Sequence, residues 1–138
     1  MIKTRNVAKD DPLRKQVYVI IIDGTVAAGD NKGAIPIGGL STYGGEVEGI
    51  YLHAKTGPVG GSDGIQIQVA NGSTDIFATK GTIAVSATTG SSTDVTVANA
   101  GVSNGDVLDI DIDSVGSSTA GADITITLVV RAHGSLEG

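Results

Sequence analysis

The sequence predicts an all-β fold: an antiparallel β-sandwich of jelly-roll or Greek-key type, preceded by an extended N-terminal arm. Three observations carry that prediction. Glycine supplies 21 of 138 residues, about 15% where about 7% is usual. The apolar residues are mostly Val, Ile and Ala, and the only aromatics are Tyr18, Tyr43, Tyr51 and Phe77. Short stretches alternate apolar and polar residues with period two, and none sustains a helical period with caps. β-Branched side chains between glycine-rich turns suit strands, where they pack on a pleated surface.

Gln16–Asp23 reads as the first strand. It is apolar on both faces, with Val17, Val19 and Ile21 opposing Tyr18, Ile20 and Ile22. Such a strand is expected to be covered on both sides, centrally in the fold or at a subunit interface, so Tyr18, Ile20 and Ile22 are candidate interface residues. Asp23-Gly24 turns the chain, and a loop around 28–33 leads into Ala34–Gly38. Pro36 marks that stretch as an edge or irregular strand, because proline cannot donate to a ladder.

Glu46–Lys55 alternates Ile50, Leu52 and Ala54 with Tyr51, His53 and Lys55. After the glycine-rich stretch 56–64, Ile65, Ile67 and Val69 alternate with Gln66 and Gln68. Asn71-Gly72 then signals a type I′ hairpin, since both residues tolerate positive φ. The return strand is expected over 74–79, with weaker strands over 82–87 and 94–98. The final hairpin reads most clearly. In 107–113 Leu108, Ile110 and Ile112 oppose Asp109, Asp111 and Asp113, and in 123–131 Ile124, Ile126, Leu128 and Val130 face one way. Eight to ten short strands of this kind imply a sandwich.

The chain divides into an arm, 1–15, a sandwich, 16–132, and a tail, 133–138, whose Gly134-Ser135-Leu136-Glu137-Gly138 ending reads as a remnant of cloning. A domain near this length buries about 68–70% of its unfolded surface, so no staple is required. Cysteine is absent, which removes disulfides and thiolate metal sites and leaves the redox compartment open. No signal-peptide pattern opens the sequence. Its longest apolar run, 17–22, falls far short of the roughly 20 residues that span a bilayer, so no membrane partner is expected.

Charge is unevenly placed. Residues 1–15 hold five basic side chains, Lys3, Arg5, Lys9, Arg14 and Lys15, against Asp10 and Asp11; the remainder holds four basic and thirteen acidic ones. A basic arm ahead of an acidic body is a candidate partner-binding segment, suited to the acidic face of a neighbour. Nucleic acid is a poor partner, because the acidic body repels phosphate and the arm has no aromatic to stack on bases.

Catalytic groups are scarce. His133 lies in the tail, which leaves His53 as the one plausible imidazole base, and its simplest reading is an exposed or interface histidine. No Gly-x-Ser-x-Gly elbow occurs. The Asp109, Asp111 and Asp113 ladder places carboxylates about 6.5–7 Å apart along one face. A calcium ion would need six to eight oxygens, with Asp63, Asp106 or Asp123 contributing. The ladder reads first as a solvated or arm-covered acidic face, then as a cation contact; no metal ligand or cofactor is assigned. Gly57-Pro58-Val59-Gly60-Gly61 lacks the ending of a phosphate loop and reads as a strand connection. The chain is therefore expected not to be an enzyme.

Three stretches then point to a family. They are Gly49-Ile50-Tyr51-Leu52 with Lys55-Thr56-Gly57-Pro58-Val59-Gly60, Ile65-Gln66-Ile67-Gln68-Val69 with Asn71-Gly72 and Ile76-Phe77, and the run from Gly105-Asp106-Val107 through Asp111-Ile112-Asp113 to Gly121-Ala122-Asp123-Ile124-Thr125. Over residues 46–130 their order and spacing resemble a recurring module of tailed-bacteriophage virion proteins. The resemblance implies a small jelly-roll of the kind used in capsid decoration (cement) proteins and in head or tail fibre domains, frequently trimeric. The function expected on that basis is a decoration protein on the capsid exterior, a homotrimer bound to the major capsid protein. The alternative is a fibre or knob domain that binds a host receptor or glycan. The basic arm lies outside the shared pattern.

Overall fold

The computed structural model describes residues 15–133, and these form ten antiparallel strands. They are β1 (Lys15–Thr25), β2 (Gly29–Pro36), β3 (Gly45–Thr56), β4 (Ile65–Asn71), β5 (Thr74–Asp75), β6 (Gly81–Ile83), β7 (Thr89–Ser92), β8 (Gly101–Val102), β9 (Val107–Val115) and β10 (Ala122–Ala132). A three-residue 3₁₀ turn, Val97–Asn99, is the one helical element among the described residues. The strands run in the order β1-β10-β3-β7-β6-β4-β9-β2, with β5 added to β4 and β8 to β3. The sheet curls into a nearly closed, barrel-like sandwich. Its first and last strands approach each other, and the Tyr18 hydroxyl donates to the Gly38 carbonyl at 2.5 Å.

Alternation along the strands builds the core. Ile50, Leu52 and Ala54 of β3 and Ile124, Ile126, Leu128 and Val130 of β10 face inward from one wall. Ile65, Ile67 and Val69 of β4 and Leu108, Ile110 and Ile112 of β9 face inward from the other, in one buried cluster with Ile76, Phe77 and Ile83. The corner between the walls is made by β6 and β7, and it requires glycine. A Cβ on Gly81 would sit 2.9 Å from Ile50 Cγ2, and one on Gly90 would collide with the Thr82 carbonyl oxygen.

Several local expectations are corrected. The strands 107–115 and 122–132 are not a hairpin: β9 pairs with β4 and β2, and β10 with β1 and β3. Two rows of equal alternation can pair side by side or face each other across a core, and pattern alone does not distinguish the two. Of the stretch 28–33, expected as loop, all but Ala28 belongs to β2, which bulges between Gly29 and Gly33 and takes positive φ at Asn31. The return strand after Asn71-Gly72 lasts only two residues. Its turn residues are Gly72 and Ser73, closed by the Asn71–Thr74 pair, with positive φ at Gly72 and not at Asn71.

After a last backbone bond from the Ile76 N–H to the Val69 carbonyl at 2.9 Å, the Gln68 side chain takes the place of a strand neighbour for Phe77. This buried amide donates from Nε2 to the Phe77 carbonyl at 2.8 Å and accepts from the Phe77 and Val69 N–H groups at 3.0 and 3.1 Å. Phe77 is thereby held in the core without a strand partner on that side. Residues 94–98 contribute one bridge, Phe77 to Val95, rather than a strand. The strand β7 was not expected, since Thr89-Gly90-Ser91-Ser92 has no apolar alternation.

Two stability predictions follow from this packing. Ile110→Asp places an unpaired charge at a fully buried position and should abolish the cooperative thermal transition seen by circular dichroism, at a cost above about 4 kcal/mol. Gln68→Leu should keep the volume but strand two buried backbone groups of Phe77, at about 1–3 kcal/mol each. Gln66→Leu, on the half-exposed neighbour, should change the urea midpoint much less.

Candidate functional site

Three features of the described surface stand out: two outer faces and the end where the chain enters. The outer face of β9 carries Asp109, Asp111 and Asp113, as alternation requires, but the structure separates their roles. Asp113 leaves the group and pairs with Lys80 at 2.8 Å. That hydrogen bond is the main cause of a raised Lys80 pKa; slight burial opposes it, and the charges of Asp113, Asp75 and Asp63 add to it. Asp111 Oδ1 accepts from the Asn31 N–H at 3.0 Å, which fixes the β2 bulge.

Asp109 and Asp111 line an open depression of about 290 Å³ with Asp30, Asn31, Ser73 and Asp75. The register explains the grouping. Asp109 lies between Ala34 of β2 and Ala70 of β4, and Asp75 pairs with Ala70 from the far side. Small neighbours leave the hollow, and four carboxylates with no basic residue line it. Asp30 and Asp75 were not foreseen, because one sat in an expected loop and the other in an expected longer strand.

Asp63, Asp106 and Asp123, considered as helpers, do not join this group. Asp106 accepts from the Ser103 N–H and from Asn71, Asp63 from the Ser62 hydroxyl at 3.3 Å, and Asp123 from the Gly24 N–H at 2.7 Å. Among the described residues no three acidic or histidine side chains converge as ligands of one metal ion.

The opposite outer face, formed by β1, β10 and β3, is of another character. Its rows are Val17–Val129–Gly49, Val19–Thr127–Tyr51 and Ile21–Thr125–His53. Tyr18, Ile20 and Ile22 point inward instead and lie half-buried against the core. Within one chain β1 is therefore covered on one side, and Val17, Val19 and Ile21 form its uncovered side. His53 is exposed there between Thr125 and Thr89, with no acidic neighbour in its row.

At the end of this face Lys15 pairs with Glu48 at 2.9 Å, and Arg131 with Glu46 at 2.7 Å and Glu48 at 3.4 Å. Lys3, Arg5, Lys9 and Arg14 lie outside the described residues. The chain enters at Lys15, which is paired with Arg131 near the close of β10. His133 is tied at the same end: its N–H donates to the Gly44 carbonyl at 2.8 Å, and its own carbonyl accepts from Ser41 Oγ at 2.7 Å.

The loop 57–61 is a strand connection, bridged from Val59 to Thr119. It borders a second, smaller hollow of about 200 Å³ lined by Gly60, Gly64, Ser114 and Ser117. Serine hydroxyls and glycine backbone are its polar groups beside Asp63, and no base adjoins them.

Comparison with protein-family models and with curated proteins finds no match. Among solved structures, the fold is similar to a chain of the cyanophage Pam1 capsid asymmetric unit. The TM-score is 0.54 at 12% identity, covering 96% of this chain and 92% of that one. The likeness is one of fold, and it spans nearly the whole of both chains.

One prediction concerns the Lys80–Asp113 pair. A lysine pKa raised by folding contributes stability that is present below the unfolded value and is lost as pH rises through the folded one. The pair's contribution to melting should therefore be constant from neutral pH to about pH 10 and be lost above that. Asp113→Asn should move the Lys80 titration, followed by NMR, to lower pH while leaving the fold unchanged.

Proposed function

We propose that this chain is a non-enzymatic structural protein of a phage virion, a decoration protein that binds the exterior of the assembled head as a homotrimer. The observation that carries the reading is the near full-length likeness of fold to a chain of a phage capsid. The physics of the molecule suits the role. A closed, glycine-cornered β-shell with an aliphatic core is rigid, and its outer faces are broad and chemically distinct. Contacts too weak to hold one copy gain strength when many are presented on a lattice.

In this reading the basic arm, with Lys3, Arg5, Lys9, Arg14 and Lys15, reaches a neighbouring subunit. Fourteen residues ahead of Lys15 span at most about 46–50 Å when extended, enough to leave their own barrel. The acidic face with Asp109 and Asp111 on a second copy is a complementary surface for such an arm. Nucleic acid and membrane have no part in this assignment, and no step of chemistry is assigned.

The test is binding to purified expanded phage heads, measured by co-sedimentation for the full chain and for one lacking residues 1–14. The full chain should pellet with heads. The truncated chain should lose most of its binding, and the affinity of the full chain should fall as salt is raised. Failure of the full chain to bind any head, together with retention on a glycan array or host cells, would replace decoration by the fibre or knob alternative.

A further inference from the structure

We infer that copies of this chain meet one another through the outer face of β1, β10 and β3, with Val17, Val19 and Ile21 at the centre of the contact. The inference rests on the self-association proposed above and supplies the surface for it. These three side chains are 52, 56 and 64% exposed, and Tyr51, two strands away in the Val19 row, is 47% exposed. Across the rows lie Val129, Thr127 and Thr125, so the centre of the face carries no acidic or basic residue apart from His53. The fold does not require this composition. At the equivalent outward positions of β9 the chain carries aspartates, and the strand forms as well.

Charge selects the occupant. Without Lys3, Arg5, Lys9, Arg14, Asp10, Asp11 and Glu137, residues 15–133 hold five basic and twelve acidic side chains, so two copies repel over most of their surfaces. On this face the charges nearly balance: at one end Lys15 and Arg131 are matched by Glu46 and Glu48, and at the other lie Lys55 of β3, Asp123 of β10 and Asp23 of β1. It is the face on which two acidic molecules can approach without opposing their own net charge. The arm is a poorer occupant, because its basic residues are complementary to the four carboxylates of the depression on the other wall, whereas the centre of this face offers none.

Size sets the mode of assembly. Seven residues along β1 and three to four strands across make a patch of about 20 by 15 Å, small against the roughly 800 Å² that each partner gives to a standard interface. A single pairing is thus weak. Three copies that turn this face toward a common axis each gain two neighbours and remove the apolar rows from water together.

The experiment is sedimentation equilibrium on the full chain, on Val19→Asp, and on Gln66→Asp as a control that adds the same charge on the opposite wall, outside the acidic depression. Each protein is first checked for a cooperative melt, and Thr127→Asp replaces Val19→Asp should that variant not fold. The expected result is a wild-type mass above the monomer that increases with concentration, unchanged by Gln66→Asp and reduced to the monomer by Val19→Asp. A wild type that stays monomeric at all concentrations would overturn the inference. So would a Val19→Asp protein with wild-type mass; if that protein also lost head binding, the face would belong to a capsid partner. Loss of head binding by the wild type, with its mass behaviour as expected, would count against the decoration role and leave this interface standing.

Discussion

Everything in this molecule depends on one packed interior, the aliphatic rows of β3 and β10 on one wall and of β4 and β9 on the other. Nothing else described is strong enough to hold the shell. There is no disulfide, and the ion pairs lie at the surface, where each contributes little. The core is mostly Ile and Val, β-branched side chains stiff at χ1 that fill a pleated space with little rotamer freedom to lose. Phe77 is the one large ring inside, and the sheet has to be interrupted beside it. Gln68 supplies from its side chain the hydrogen bonds that a strand neighbour would otherwise give.

That dependence explains which parts of the fold were legible. Inward and outward positions could be read residue by residue on β3, β4, β9 and β10, because burial acts directly on alternation. Pairing could not be read in the same way. Strands β9 and β10 follow one another and match in pattern, yet they belong to opposite walls, since the long connection 116–121 crosses the end of the barrel. Elements shaped by close approach were also hidden: Thr89–Ser92 is a strand because Gly90 lets two backbones meet, and glycine leaves no apolar signature. On β1 the residues were read correctly as apolar on both sides, but which side faces inward is decided by its pairing with β10.

The acidic group was half legible for a related reason. Asp109 and Asp111 stand on one strand and announce themselves by spacing. Asp30 and Asp75 reach the same hollow from strands distant in sequence, brought there by the β2 bulge and the Gly72-Ser73 turn. Asp113 looked equivalent to its neighbours and is drawn off by Lys80. The two walls thus carry opposite outer chemistries on a shared interior, one charged and open to basic segments, the other neutral and apolar. A small shell can present two different surfaces in this way because its inner faces carry the whole burden of stability.

The adjacency of Lys15 and Arg131 gives the barrel a polarity. Chain entry and the last residues of β10 occupy one pole, together with the loops at 37–44 and 103–106. The connections at 26–28, 57–64 and 116–121 gather at the other pole, some 20 Å or more away along strands of this length. A partner held through the residues ahead of Lys15 is held at the first pole, and the second then stands away from the anchorage. There residues 60–63 and 117–119 form a glycine- and serine-rich crown, while Val26, Gly64 and Gly121 beneath it pack against the core. In the decoration role proposed above, foreign peptides grafted into that crown would be carried outward, as a displayed array rather than a buried insert.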